Sequence, residues 1–253
     1  MATTANAIQQ MDNREVFNNT FRNLADGTIF DYIDYANTGD VTYKVDTKFA
    51  TGGQGGGRRM RFDGSPEATM KFSTQIITPK LMSMLAGAPI VTGKNVFRHK
   101  VITSVTDETA TKITFPAGEV PVDGTLAVYP KGSELIDTNK TAGTLATGVF
   151  TFTTKATSDG EYDCFYQTAI TGSQTITFQS NIFPKSFIWD GETVWKDDAG
   201  VLRTEIFHAY NCSPQQNFTM SYSNTGDPGK LEITFDLMAD KDKKIFDKTF
   251  LPE

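Results

Sequence analysis

Two short stretches near the carboxyl end of the chain alternate apolar and polar side chains, one residue at a time. Their apolar positions are Phe218, Met220 and Tyr222, followed by Leu231, Ile233, Phe235 and Leu237. Because successive side chains of a β-strand point to opposite faces, each stretch predicts a strand with one buried and one solvent-exposed face. The residues between them include the turn formers Asn224, Gly226, Asp227, Pro228 and Gly229. The sequence therefore predicts a long amphipathic hairpin, and none of its side chains suggests catalysis.

The composition indicates a globular protein that is rich in strands. With 253 residues, one large domain or two modest domains are expected. The 19 Phe and 8 Tyr, together with frequent Thr, favour strands over helices. The net charge of −6 argues against a chain that wraps nucleic acid by neutralising phosphates, although DNA could still slide past such a surface.

The sequence shows no membrane or secretion signal. No apolar run approaches the roughly 20 residues that span a bilayer, and residues 1–13 lack the basic and apolar regions of a signal peptide. We therefore expect the two cysteines, Cys164 and Cys212, to be buried reduced thiols. A disulfide is the alternative, and it depends on their separation in the fold.

The first part of the chain predicts one helix followed by strands. Asp12 to Gly27 begins with a capping-box arrangement of Asp12 and Glu15, and Gly27 ends it. The apolar residues at helical spacing are Phe17, Phe21 and Leu24. Strands are predicted at residues 28–35, 40–49 and 67–77.

A glycine-rich run, residues 51–61, lies between two of these strand patterns and is therefore predicted to be the mobile tip of a long hairpin. It lacks the Gly-Lys-Ser/Thr ending of a phosphate loop, and no helix pattern follows it, which disfavours nucleotide binding. A flexible contact loop is favoured instead, with basic residues that could bind an acidic neighbour. The residues of this contact loop are Gly52, Gly53, Gln54, Gly55, Arg58, Arg59 and Arg61.

A short second helix is predicted after residue 78. Thr78 is suited to the N-cap, Pro79 to the first helical position, and Gly87 lies just beyond the end. The apolar side of this helix, which is expected to pack on a sheet, holds Leu81, Met82 and Leu85.

From residue 116 to residue 184 the chain contains more Pro, Gly, Thr and Ser, with short strand patterns at regular intervals. The patterns fall at residues 125–129, 149–154, 162–166 and 175–179. We interpret residues 116–184 as an inserted small β-sandwich domain, and residues 1–115 and 185–253 as one discontinuous β domain. Within the latter, Asp190-Gly191 predicts a tight turn between two short strands. The predicted fold class is mainly β with a short flanking helix.

Candidate catalytic and binding residues are few. His208 and Cys212 form the only closely spaced His/Cys pair, and four residues along a strand lie too far apart to share one tetrahedral ion. Pairs of acids are scattered, at Asp31 with Asp34, Asp197 with Asp198, and Asp236 with Asp240. Trp189 and Trp195 could stack on sugar rings, so a carbohydrate-binding module stays open beside ordinary core packing.

Three segments together resemble the tail tube, or major tail, proteins of long-tailed bacteriophages. They are the strand and capped helix of residues 67–87, the glycine-tipped hairpin before them, and the closing alternation of residues 217–237. The resemblance covers the two parts of the chain that flank residues 116–184. The minimal fold of the family lacks such an insert, which in family terms would decorate the outside of the tube.

The resemblance implies a β-sandwich or half-barrel whose subunits form homohexameric rings. The rings would stack into a hollow tube, with the contact loop reaching the next ring, DNA passing through the lumen, and tape-measure and tail-terminator proteins as partners. A lumen lined by hydroxyls and acids would not retain DNA. The residues assigned to that lining are Thr219, Ser221, Glu232, Thr234 and Asp236.

The sequence thus predicts a structural virion protein of the phage tail, assembled in the host cytoplasm and conducting DNA without catalysis, cofactor or metal. Alternatives are another phage structural protein, such as a capsid decoration or baseplate component, and a β-sandwich carbohydrate-binding module. A hydrolase with dispersed acids finds no site in the sequence.

Overall fold

A computed structural model describes residues 11–13, 15–197, 200–222, 224–226 and 228–251. Within these residues the chain is mainly β with one α-helix, α1 (Pro79–Ala86), which confirms the predicted fold class. The strands are β1 (Met11–Asn13), β2 (Asn18–Asn23), β3 (Ile29–Ile33), β4 (Ala36–Thr51), β5 (Arg58–Thr74), β6 (Val91–Thr92), β7 (Asn95–Thr103), β8 (Val105–Thr106), β9 (Thr111–Thr114), β10 (Ala127–Pro130), β11 (Gly143–Ala146), β12 (Val149–Phe152), β13 (Glu161–Ala169), β14 (Gln174–Thr175), β15 (Phe187–Asp197), β16 (Leu202–Pro214), β17 (Leu231–Leu237) and β18 (Phe246–Phe250).

The described chain divides into two compact units. The larger unit contains the residues up to Pro89 and those from Ile176 onward, and the smaller unit is Ile90–Thr175. The sequence placed the insert at residues 116–184, so the smaller unit begins earlier and ends earlier. The pairing of β7 with β13 explains the early start, because it runs from Asn95 opposite Ala169 to Thr103 opposite Glu161.

The larger unit is built on one nine-stranded sheet with the order β3-β2-β15-β16-β17-β5-β4. β1 extends it beside β15, and β18 pairs with β16. The two end strands of the path, β3 and β4, are joined only by Asp34 and Tyr35. Because so short a link spans little distance, the sheet curves until its two ends come close.

The concave side of this curved sheet holds the core of the larger unit. Alternate residues of its strands point inward, and α1 packs among them. Thr78 caps α1 by accepting a hydrogen bond at Oγ1 from the Leu81 backbone N–H, 3.1 Å away. Gly87 ends it with φ of 67°, a left-handed conformation that favours glycine. The second predicted helix is therefore confirmed, with both of its predicted end signals.

The predicted helix of residues 12–27 is wrong, because this segment forms β1, β2 and a turn. Asn19 and Phe21 are buried on one face of β2 while their neighbours are more exposed, as strand alternation requires. Asn and Thr are weak helix formers, and they fill most of positions 18–23. Asn19 is instead held by the core, where its side-chain oxygen accepts a hydrogen bond of 3.0 Å from the Trp189 indole N–H.

Half of the predicted closing hairpin is also wrong. Residues 231–237 form β17, with all four apolar side chains buried, but residues 218–222 lie in a loop. The strand beside β17 is the end of β16, where Cys212 faces Leu237 and Pro214 faces Phe235. Ser223 and Asp227 of the predicted turn lie outside the described residues.

The predicted turn at Asp190-Gly191 is also wrong, because β15 continues through both residues. A Cβ atom at position 191 would lie 2.4 Å from the ring of Trp189. The glycine therefore makes room for a buried indole in mid-strand, and it does not mark a turn.

The smaller unit is a β-sandwich. A three-stranded sheet, β10-β13-β7, and a four-stranded sheet, β11-β12-β9-β8, enclose a core of their own. The largest fully buried side chains of this core are Tyr166 and Ile113. The strand predicted at residues 175–179 is short, since only Gln174–Thr175 pairs, with β6.

The described part of the chain contains no helix that is long and apolar enough to cross a bilayer.

Candidate assembly surfaces

The hairpin of β4 and β5 extends beyond the rest of the sheet. From Ala68 to Thr74, β5 pairs with β17 on one side and β4 on the other. From Arg58 to Glu67, its only strand partner among the described residues is β4, and every residue from 51 to 67 is exposed. We call residues 46–63 the ribbon, a two-stranded projection that no other described part of the subunit covers.

The tip of the ribbon is shaped by glycine. Gly53, Gly55 and Gly56 all have positive φ, between 65° and 98°, where other residues are strained. The Arg59 guanidinium lies against Gly53, so that a Cβ there would be 2.5 Å from its Nη2. The contact loop named from the sequence therefore coincides with this tip and the first residues of β5.

The arginines of the ribbon differ in their partners. The guanidinium of Arg58 lies 4.2 Å from the centre of the Phe49 ring, and Arg61 pairs with Asp63 at 2.5 Å. Within the described residues, neither Arg58 nor Arg59 forms an ion pair with a carboxylate. Two cationic groups at the tip are thus available to an acidic partner.

One face of the ribbon carries exposed apolar side chains beside Lys48. Ala50 lies opposite Met60, and Lys48 lies opposite Phe62, so these side chains share a face. Met60 is 60% exposed and Phe62 54% exposed. Large apolar side chains this exposed on a projecting hairpin are typical of a surface that is covered in an assembly.

A second surface is the polar face of β17, which points away from the core. It carries Glu232, Thr234 and Asp236, while the alternate residues of the strand are buried among the core side chains and α1. Glu232 pairs with Lys71 of β5 at 2.7 Å, and this ammonium, which donates a hydrogen bond, lowers the pKa of the Glu232 carboxyl. Asp236 accepts a hydrogen bond of 2.6 Å from the Gln215 side chain.

Thr219 and Ser221, which the sequence placed on the same polar face, are exposed in the loop before β17. Because residues 218–222 are not a strand, nothing fixes these two side chains in register with Glu232 and Asp236. Of the three apolar residues predicted on the buried face here, Phe218 and Met220 pack against the core. The third, Tyr222, is 85% exposed.

The outward face of β15 and β16 carries a network of hydrogen bonds and ion pairs that was not predicted from the sequence. Asp190 accepts a hydrogen bond of 2.7 Å from Arg22 and lies 2.6 Å from Nδ1 of His208. Tyr210 donates a hydrogen bond to Asp247 of β18. The alternation of buried Phe207 and Ala209 with these polar neighbours would have revealed the network, had residues 190–191 been interpreted as strand.

Leu81, Met82 and Leu85, assigned to helix packing, all lie in the core of the larger unit. Leu81 is fully buried, and Leu85 is 1% exposed. The helix therefore presents its apolar side to the interior of the curved sheet, opposite to the polar face of β17.

The candidate catalytic and metal-binding residues named from the sequence do not form a common site. His208 points outward from β16, whereas Cys212 is fully buried, and burial raises the pKa of its thiol to about 12. Cys164 is also buried, and both cysteines are free, as expected. Across the described residues no group of three or more His, Cys, Asp or Glu side chains could hold a metal ion. Trp189 is fully buried in the core and offers no face to a sugar.

The acid pairs are similarly dispersed. Asp31 pairs with Lys80 at 3.7 Å, while Asp34 is exposed. Asp197 accepts a hydrogen bond of 3.0 Å from Arg203, and Asp198 lies outside the described residues. Asp31 and Asp197 are thus each held by a cationic side chain of the subunit, Lys80 and Arg203 respectively.

Comparison with known proteins identifies the family. A search of the curated proteins finds no match to this chain. The model of the YomU/Tube protein family matches residues 14–247, and this is a phage tail tube-like family, which confirms the resemblance seen in the sequence. The chain therefore belongs to the YomU/Tube protein family.

Proposed function

We propose that this chain is a non-enzymatic structural protein that forms rings and stacks into a phage tail tube. The observation that carries the proposal is the ribbon, whose outer residues are exposed on both faces. A two-stranded hairpin without further packing is marginally stable in water. Contact with another copy would cover Met60 and Phe62 and give this projection a fixed structure.

Unpaired strand edges support assembly into rings. Among the described strands, β4 pairs only with β5, and β3 pairs only with β2, so each leaves one edge of backbone N–H and C=O groups without a strand partner. Such edges promote pairing between chains, and closure into a ring removes the hazard of open-ended aggregation. The tail-tube resemblance adds the expectation of homohexameric rings.

The charges of the polar face support a channel that conducts DNA without binding it. Two cations that point outward from the sheet, Arg22 of β2 and Lys71 of β5, are each paired with a carboxylate, Asp190 and Glu232 respectively. Cations already neutralised in this way release few counterions from DNA, so they contribute little affinity for phosphate. We propose that Glu232, Thr234 and Asp236 line the lumen.

The tail-tube resemblance adds the remaining elements of the proposal as expectations. A tape-measure protein inside the tube and a tail-terminator protein at its end would be the protein partners. The site of assembly would be the host cytoplasm, without membrane association, and the mature protein would reside in the virion tail. This function requires neither a cofactor nor a metal.

Negative-stain electron microscopy of the purified chain at high concentration tests the proposal. Rings, or stacked tubes with a central channel, are the expected result. A strict monomer that binds a glycan would favour the carbohydrate-binding alternative. Particles that bind capsids or baseplates without forming tubes would favour the other virion roles.

A further inference from the structure

The ribbon and an exposed apolar patch lie at opposite ends of one strand. β5 has 17 residues, beginning at the ribbon with Arg58 and ending at Thr74. At a rise of about 3.3 Å per residue its ends are roughly 50 Å apart. The segment after Thr74 carries Ile76 and Ile77, which are 53% and 41% exposed. We call Asp34, Ile76 and Ile77 the far-end patch.

The backbone of the far-end patch is held in place. The Ile76 N–H donates a hydrogen bond of 2.9 Å to Oγ1 of Thr74. The same hydroxyl lies 3.3 Å from the carbonyl oxygen of Tyr35, the residue that follows Asp34. Two residues after Ile76, Thr78 is fixed as the cap of α1. The two isoleucines are therefore presented on an ordered segment, as a docking surface requires.

The charges of the two ends are complementary. Asp34 is exposed and forms no ion pair with any described residue, while Lys80, the basic residue of α1, is paired with Asp31 at 3.7 Å. At the other end, Arg58 and Arg59 have no carboxylate partner within the described chain. An interface between these ends would pair opposite charges at the edge of an apolar contact.

We propose that the ribbon of one copy docks on the far-end patch of the next copy, with Met60 and Phe62 against Ile76 and Ile77, and with Arg58 or Arg59 against Asp34. This inference rests on the proposed stacking and names the two surfaces that perform it. Because the surfaces differ and lie at opposite ends, the contact is heterologous and propagates head to tail. Each contact is small, and its repetition around a ring multiplies its effect.

Site-directed crosslinking tests the contact directly. The native thiols, Cys164 and Cys212, are both 0% exposed, so introduced cysteines are the accessible ones. Met60→Cys and Ile77→Cys would be made in separately tagged chains, co-assembled and mildly oxidised. The expected product is a disulfide dimer that carries both tags. The matched control replaces Ile77→Cys by Leu202→Cys, an exposed apolar position (67%) outside the patch, and should give only background.

Failure of this inference can be separated from failure of the proposed function. If the unmodified chain forms neither rings nor tubes, the proposed function itself is overturned. If tubes form and Met60→Cys crosslinks to Leu202→Cys in preference to Ile77→Cys, the tube stands and the docking assignment is overturned.

Charge exchange provides a second readout. Asp34→Arg alone, and Arg58→Asp with Arg59→Asp, should each leave rings intact but shorten or abolish stacks. Combining the two sets should restore stacking, because the ion pair is then reversed. Stacks of normal length from either single set, or no recovery in the combination, would overturn the docking assignment. All three residues are exposed, so thermal unfolding should confirm that the variants fold.

Discussion

The buried carboxylate of Glu205 is paired with Lys248 across neighbouring strands. Glu205 of β16 is 0% exposed, and the Nζ of Lys248 lies 2.7 Å from its Oε1. The geometry is that of an ion pair, and neither carboxylate oxygen has a hydrogen-bond partner in the described structure. The Lys248 ammonium also lies 4.9 to 5.1 Å from the rings of Trp195, Phe207 and Phe250. Among the described residues, Lys248 is thus the cation that pairs with this buried carboxylate, and it lies among aromatic rings.

Replacing Lys248→Met should lower the free energy of unfolding by about 3 kcal/mol, because an unpaired charge would be left buried. Because the Met side chain keeps the apolar stem of Lys248, the loss of stability reports the removal of the ammonium charge. Lys131→Met is a matched control, since the Lys131–Glu161 pair has the same 2.7 Å distance but is about half exposed. Because solvent screens such a pair, this substitution should lower the free energy of unfolding much less than Lys248→Met does. Urea denaturation measures both, and equal losses would contradict this account.

The two buried cysteines should make the free energy of unfolding change with pH in the alkaline range. Burial raises the pKa of the Cys212 thiol to about 12 from a reference value of 9.0, and Cys164 shifts likewise. Between these values the unfolded chain releases protons that the folded chain retains, so stability should fall as pH rises from about 9 toward 12. Denaturation at several pH values should show a shallower slope for Cys212→Ala than for the unmodified chain. The test is the slope of the free energy of unfolding against pH. The absolute free energy of unfolding is not the test, because Cys212→Ala also removes packing in the core.

Gly191→Ala should destabilise the larger unit by about 1–3 kcal/mol through overpacking. The added Cβ would lie 2.4 Å from the ring of Trp189, which is fully buried and holds a hydrogen bond to Asn19. Gly57→Ala is the control, because a Cβ there meets no atom within 4 Å and the backbone needs no positive φ. Thermal unfolding compares the two, and a neutral Gly191→Ala would show that the indole can move aside.

Local sequence signals were sufficient to predict an element correctly where the residues that determine its structure are close in sequence. Thr78, Pro79 and Gly87 define α1 by themselves, and the β4–β5 hairpin follows from two strand patterns around a glycine-rich tip. The apolar alternation of β17 likewise predicted which of its side chains are buried. In each case the physical cause, a cap, a turn or a period, acts within a few residues.

The errors occurred where a partner distant in sequence decides the structure. Asn19 and Phe21 belong to a strand because β15 pairs with them, about 170 positions later along the chain. Residues 218–222 alternate as a strand would, yet the end of β16 already occupies the edge of β17. The contact of Asp190 with His208 was not predicted for a related reason. The Asp190-Gly191 pair is typical of a turn in the sequence, and only the position of the Trp189 ring in the structure explains the glycine within a strand.

Deleting Gly52–Gly57 should leave the monomer folded but prevent stacking of rings. All six residues are exposed in the structure and contribute nothing to the core, so the thermal midpoint should change little. The control keeps the loop length and combines Gly52→Ala with Gly57→Ala, two positions without positive φ or close neighbours. Electron microscopy reports stacking. Normal tubes from the deletion variant would refute the role assigned to the contact loop.

Reversing the acids of the proposed lumen should make the tube retain DNA. Glu232→Lys with Asp236→Lys adds cations to the face where Lys71 is now neutralised. Linear DNA should then bind to assembled tubes, and log Kobs should fall with log salt by about 0.9 for each phosphate contacted. The control changes the net charge equally with Glu108→Lys and Glu134→Lys, two exposed acids of the smaller unit. Filter binding at several salt concentrations compares the variants. Equal DNA retention by both would show that net charge alone is responsible, and it would remove the basis for placing Glu232 and Asp236 in the lumen.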